Sequence, residues 1–156
     1  MRRKDREVTD IAKIREILSA CRCCRLGFND EGRVYIVPLN FGWKESEGRL
    51  TLYFHGAKEG RKIDLIKKTG YAAFETDTEC EVVPGDIACS YTAVYQSIIG
   101  EGRIEIIEDK EEKCAALDMI MLHNTGKSRW EYPDKMLEAT CVYKLEAESF
   151  SCKVHE

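Results

Sequence analysis

No stretch of this sequence approaches the roughly 18 consecutive apolar residues of a membrane-spanning helix. The opening MRRKDREVTD carries charge where a secretory leader would have its apolar centre. A cytoplasmic protein with no membrane partner is therefore expected. Basic residues are not in excess either. The 24 Lys and Arg against 28 Asp and Glu leave a net charge of -4, which argues against a general nucleic-acid binder, whose surface must release counterions. A dianionic ligand would need a local basic patch. Internal repeats, low-complexity tracts and linkers are also missing, so one domain over residues 1–156 is the simplest organisation, long enough to bury about two thirds of its unfolded surface.

Cysteine, by contrast, is plentiful, with eight in the chain. With no leader in view, reduced and packed thiols are expected rather than disulfides. Cys21 and Cys24 form a C-x-x-C, which raises zinc or redox chemistry. A zinc knuckle wants a matching second pair, and Cys80 and Cys89 are too widely spaced to be one. A redox pair would open a helix, whereas Cys21 to Phe28 reads as a strand. No metal site is assigned.

Ile11, Ile14, Ile17 and Leu18 fall on one helical face behind Thr9 and Asp10, either of which can cap it. The turn Asn29-Asp30-Glu31-Gly32 joins the strand before it to Val34–Phe41, and Pro38 requires an edge, a bulge or a ligand beside that second strand. Lys44–Arg49 reads as a turn and Leu50–His55 as the third strand. A short helix opens at Gly60, with Tyr71–Thr76 following as a strand and Val83-Pro84-Gly85-Asp86 as a loop. Tyr91–Glu108 is strand-rich, with Gly100 and Gly102 marking a bulge or bend. Asp109 and Glu112 start a third helix, carrying Cys114, Leu117, Ile120 and Met121 on its buried face and closed by Asn124-Thr125-Gly126. Lys127–Lys135 reads as a surface loop, and Cys141–Leu145 and Phe150–Val154 as final strands. The sum is an α+β, mostly β, fold of six to seven strands with two to three flanking helices, the antiparallel sheet closed or half-closed into a small barrel.

The stretch LYFHGAKEGRK, residues 52–62, carries the clearest chemistry. Gly60-Arg61-Lys62 opens a helix just beyond a strand, so free N–H groups, the positive end of the helix dipole and two cations converge on one place. Arginine grips phosphate through paired N–H donors, and lysine adds a compact charge. The plain alternative is a solvated basic start to a surface helix. Lys58 is placed to assist from the loop, whereas Lys67 and Lys68 lie nearer the helix's C-terminus.

LYFHGAKEGRKIDLIKKTGYAAFET, with VYIVPLNFGW and SIIGEGRIE, resembles the FMN-binding split-barrel family, the pyridoxamine 5'-phosphate oxidase-like proteins, and among them the nitroimidazole-resistance proteins. The likeness runs from about residue 10 to 150. It implies the antiparallel split β-barrel form of the fold and FMN as cofactor, with Gly60, Arg61 and Lys62 at its phosphate, Tyr53 and Phe54 along the ribityl chain, and the backbone of Val37, Pro38, Leu39 and Asn40 beside the ring. Ser97 and Ile98 would approach from the neighbouring strand or from a second subunit, since such proteins form homodimers with FMN at the interface. The implied activity is reduction of a small electron-poor substrate such as a nitroimidazole or other nitroaromatic. A flavin- or haem-binding role without turnover is the alternative. Ser97 and Ile99 stand where the oxidase carries a glutamine and an arginine, and the ending SCKVHE lacks the oxidase's substrate-gripping segment, so pyridoxamine phosphate oxidation is not expected.

His55 is the candidate catalytic residue, as proton donor or as a ligand to haem, against a bland reading as a strand-end side chain bonded to a carbonyl. His123 reads as a partner of its helix's C-terminal dipole and His155 as a tail residue. Trp43 and Trp130 suit core or interface packing.

Overall fold

The computed structural model describes residues 3–155. Asp10 caps α1 (Ile11–Ala20), its carboxylate accepting the Ala12 N–H, and Ile14, Ile17 and Leu18 form the buried stripe. Cys21 ends that helix, so the following strand begins at Cys24, three residues later than periodicity suggests. α2 (Arg61–Thr69) is bounded by Gly60 and Gly70, both at positive φ. α3 (Lys110–Thr125) starts at Asp109, which accepts the Glu112 N–H, and ends on left-handed Gly126. A fourth helix, α4 (Asp134–Ala139), follows Pro133 inside the segment expected to be loop.

The strands are β1 (Glu7–Val8), β2 (Cys24–Asp30), β3 (Arg33–Leu39), β4 (Gly42–Ser46), β5 (Arg49–Gly56), β6 (Tyr71–Asp77), β7 (Glu81–Val83), β8 (Thr92–Ile106) and β9 (Cys141–His155). All pair antiparallel in the order β3-β2-β6-β8-β9-β5-β4, with β1 added to β9 and β7 to β8. β3 and β4 do not pair with each other, so the sheet is an open, split barrel rather than a closed one.

Both element counts exceed expectation. β4 replaces part of the turn read at Lys44–Arg49, and the short β1 and β7 add two more, while the two segments expected near the C-terminus are one strand, β9. β8 likewise runs unbroken through its glycines. The expected irregularity is there, as a register shift at Glu101/Gly102, where a Cβ on Gly102 would lie 2.0 Å from the Glu146 carbonyl oxygen.

Alternation along the strands builds the interior. Leu26, Phe28, Leu50, Leu52, Phe54, Phe74, Ile98, Ile104, Tyr143 and Leu145 point inward and meet α1 and α2 in one core. α3 lies outside, across β4 and β5. None of the helices among the described residues is long and apolar enough to cross a membrane.

Candidate functional site

The strand pattern decides which side chains near α2 can meet a ligand. Along β5, Phe54 is buried while Tyr53 and His55 face the other way. Phe54 stacks on Tyr143, ring centroids 5.6 Å apart, so its side chain belongs to the core and only its backbone could border a cofactor. Ile98 is likewise fully buried. Tyr53 packs beneath α3 beside Leu117 rather than standing open. Strand parity thus turns the side chains of Phe54, expected along the ribityl chain, and Ile98, expected to approach from a neighbouring strand or a second subunit, toward the core.

Gly60 holds a φ of 121°, a conformation for which glycine is suited, and this turns the chain from the β5 exit into α2. The two cations that follow diverge. Arg61 donates Nε and Nη2 to Asp30 Oδ2 at 2.9 and 2.6 Å, and its guanidinium carbon sits 4.4 Å from the Tyr35 ring centroid. It is thus docked on the β2–β3 hairpin, over a strand-edge tyrosine. Lys62 goes the other way. Its Nζ lies 5.9 Å from the Tyr143 ring centroid and beside Gly56, where a Cβ would come within 2.9 Å of it. Among the described residues, no ion pair engages Lys62.

Beneath Lys62 is an anomaly. Tyr143 Oη is the buried side-chain polar atom without a hydrogen-bond partner among the described residues. Burial pushes its phenol well above the ordinary range, so it is a neutral donor waiting for an acceptor. His55 is exposed at the β5 exit, yet the surrounding protein and then the nearby Lys62 charge hold its pKa below the ordinary histidine value. It is therefore chiefly neutral near pH 7.

On β3, Val37 and Leu39 turn toward the core, while Pro38 and Asn40 face out. Because β3 is an edge strand, Pro38 breaks no ladder on its free side. Ser97 is not near this group within one chain: β2 and β6 stand between β3 and β8, a separation of about 14 Å along the sheet at ordinary strand spacing. Asp30, Tyr35 and Tyr143 were not flagged by sequence. Each looked like turn or strand filling, and nothing local to them points to α2.

The remaining candidates resolve as structure. His123 Nε2 lies 2.9 Å from the Cys21 carbonyl oxygen and its ring 4.6 Å from Phe41, so it bridges to another element rather than capping its own helix. Trp43 packs against the core, while Trp130 is exposed. Cys21 and Cys24 are buried free thiols, pushed up in pKa chiefly by burial, and no metal-holding cluster of His, Cys, Asp or Glu occurs among the described residues.

The pyridoxamine 5'-phosphate oxidase family profile matches residues 10–154. The chain belongs to that family. Among solved structures, a Bacteroides thetaiotaomicron protein designated a 5-nitroimidazole antibiotic resistance protein superposes at a TM-score of 0.81 with 33% identity, covering 95% of this chain and 86% of that one. A flavocytochrome of Azotobacter vinelandii (TM-score 0.80, 23% identity, 100% and 72% covered) and an FAD- and heme-binding protein of Mycobacterium smegmatis (0.79, 20%, 97% and 74%) share the fold. No curated protein matches the sequence.

Proposed function

We propose that this family member is a cytosolic, homodimeric FMN-binding oxidoreductase that reduces a small electron-poor substrate such as a nitroimidazole or another nitroaromatic. The observation that carries the reading is the helix start at Gly60, where Lys62, without a carboxylate partner among the described residues, lies 5.9 Å from the ring centroid of Tyr143, whose buried hydroxyl has no hydrogen-bond partner among the described residues. The helix's free N–H groups, an ammonium and a neutral phenol donor suit a phosphate monoester. Likeness at 33% identity to the 5-nitroimidazole resistance protein supports the substrate class.

FMN would supply the electron-transfer chemistry. This chain's residues bind, orient and move protons. Lys62 and the α2 N-terminus would hold the phosphate, with Arg61 released from Asp30 to join them. The β3 edge around Pro38 and Asn40 would lie along the ring. His55, at the strand exit, would deliver a proton to the substrate. Ser97 would come from a second copy, because in one chain it lies across the sheet from β3.

The test is the visible spectrum of the purified protein, with release and identification of its chromophore. Arg61→Ala with Lys62→Ala should keep the fold and weaken flavin binding by about 100-fold or more, since each charge-assisted bond is worth about 1.5–3 kcal/mol. Full flavin content in that double variant overturns the assignment. A second reading is haem or flavin binding without turnover, favoured by the neutral imidazole of His55. A Soret band with hemin that is lost in His55→Ala would select it.

A further inference from the structure

Two exposed segments of the chain carry opposite charge, and each presents apolar side chains to solvent. The first is the arm between β6 and β8. β7 pairs Val82 with Ala93 and Val83 with Thr92, and beyond them the Ser90 hydroxyl accepts the Ile87 N–H and donates to the Ile87 carbonyl, so the arm is folded on itself. Val82, Ile87 and Tyr91 stand exposed on it. Its charges from Glu79 to Thr92 are Glu79, Glu81 and Asp86, with no cation.

The second is the loop between α3 and α4. Asp118 holds it: the carboxylate accepts the backbone N–H groups of Arg129 and Trp130, each at 3.1 Å, and the Tyr132 hydroxyl at 2.9 Å. Arg129 is thereby kept at a φ of 62°, which residues other than glycine seldom adopt. The Trp130 indole N–H already donates to the Lys127 carbonyl, and the residue is 43% exposed. Leu122, one helical turn beyond Asp118 on the same face of α3, is exposed too. Lys127 and Arg129 lie on this loop, and Arg22 donates to the His123 carbonyl at the end of α3. Among the described residues, none of these three cations is in an ion pair. Between Thr125 and Pro133 the one carboxylate is Glu131.

We propose that the arm of one copy docks on the α3–α4 loop of the other, Trp130 seating against Val82 and Ile87 while Arg22, Lys127 and Arg129 face Glu79, Glu81 and Asp86. This rests on the homodimer proposed above and names the surfaces that make it. A tryptophan held rigid beside an arginine has the character of an interface anchor, and opposite charges set its register. The placement agrees with the expected flavin site. The arm is rooted beside Ser97, since Asp77 pairs with Ser97 and the Thr78 N–H donates to the Gln96 carbonyl. Thr92, where the paired ribbon ends, is about 17 Å from Ser97 at ordinary strand rise. The receiving loop starts just after Asn124, whose side chain bonds Asn40 and the Phe41 carbonyl beyond the end of β3. A Ser97 delivered to the partner's β3 therefore carries the arm toward the partner's loop, and two-fold symmetry makes the contact twice.

The test is charge reversal and its compensation. Wild-type protein, the arm variant Glu79→Lys with Glu81→Lys, the loop variant Lys127→Glu with Arg129→Glu, and the two combined are compared by sedimentation over a dilution series. Each reversal alone should weaken the dimer at least about tenfold, because like charges then face each other, and the combination should return it to within about threefold of wild type. These side chains are exposed, and unchanged far-ultraviolet circular dichroism verifies the fold. Trp43 packs against the core, so Trp43→Phe leaves Trp130 as the reporter, with emission that is blue in the dimer and shifts red as it dissociates. Should that variant fail to fold, the sedimentation series stands alone. A wild-type monomer at every concentration, a dimer indifferent to the loop reversal, reversals that add instead of compensating, or a Trp130 emission unmoved by dissociation each overturns the docking. Flavin absorbance of the same samples is scored separately. A yellow dimer indifferent to the reversals overturns the docking and leaves the flavin reading standing, whereas a colourless dimer with the compensating pattern supports the docking and sinks that reading.

Discussion

A buried hydroxyl with no partner costs stability unless something else uses it, and Tyr143 is such a case. Tyr143→Phe should leave the folded protein as stable or more stable, by up to about 1 kcal/mol, or about 2–4 °C in Tm for a chain of this size. The same variant should bind FMN more weakly if that hydroxyl serves the phosphate. A gain in Tm with unchanged flavin affinity would make Tyr143 a packing residue alone. His55 gives a second test. Its pKa is lowered by burial first and Lys62 second, so protonation is resisted near neutrality. If its proton limits turnover, kcat should rise as pH falls through that lowered value. Lys62→Met removes one depressing charge and should move this limb to higher pH. Titrating the His55 ring proton in the flavin-free protein checks the shift separately from catalysis.

Elements differ in how far their sequences announced them. α1 and α3 carry an apolar stripe behind an aspartate cap, two signals that agree, and both form where expected. The polar run Lys44, Glu45 and Ser46 in β4 has the composition of a turn. β4 is an edge strand, held on one side only by β5 and covered by α3, so alternation is weak in so short a segment. α4 hid in a polar stretch behind Pro133, where no stripe is long enough to read. In the candidate site, Arg61 and Lys62 stood out because adjacent cations after a glycine are a local pattern. Asp30, Tyr35 and Tyr143 reach α2 only through tertiary packing, which one sequence does not display. The β8 bulge was legible from Gly100 and Gly102 because close backbone approach excludes side chains. That gives a paired prediction. Gly102→Ala forces a Cβ to 2.0 Å from a carbonyl oxygen and should cost about 1–3 kcal/mol in urea unfolding. Gly27→Ala meets Ala73 Cβ at an ordinary 3.9 Å and should stay within about 0.5 kcal/mol.

At the scale of the whole molecule, one chain leaves apolar surface uncovered. Between β6 and β8 the segment from Glu79 to Thr92 projects with nearly every residue exposed, Val82 at 63%, Ile87 at 67% and Tyr91 at 53%. It carries Glu79, Glu81 and Asp86 and no lysine or arginine. Val34 and Ile36 on β3 are also exposed, as is Ile99 on β8, with β2 and β6 between them. Exposed patches of this kind mark association surfaces, and a homodimer covers its own patches symmetrically. We expect the arm to be covered by a second copy, the same association that would bring Ser97 to the partner's β3. Cys80 and Cys89, the exposed cysteines among otherwise buried or half-buried ones, report on it without engineering. Wild-type protein should sediment at twice 17.9 kDa, with both thiols slow toward iodoacetamide. Val82→Glu with Ile87→Glu should yield a monomer whose thiols react at least about tenfold faster, because burying two carboxylates without partners is costly. A wild-type monomer with freely reacting thiols would leave Ser97 without a second subunit to serve and confine any flavin site to the residues around α2 and β3.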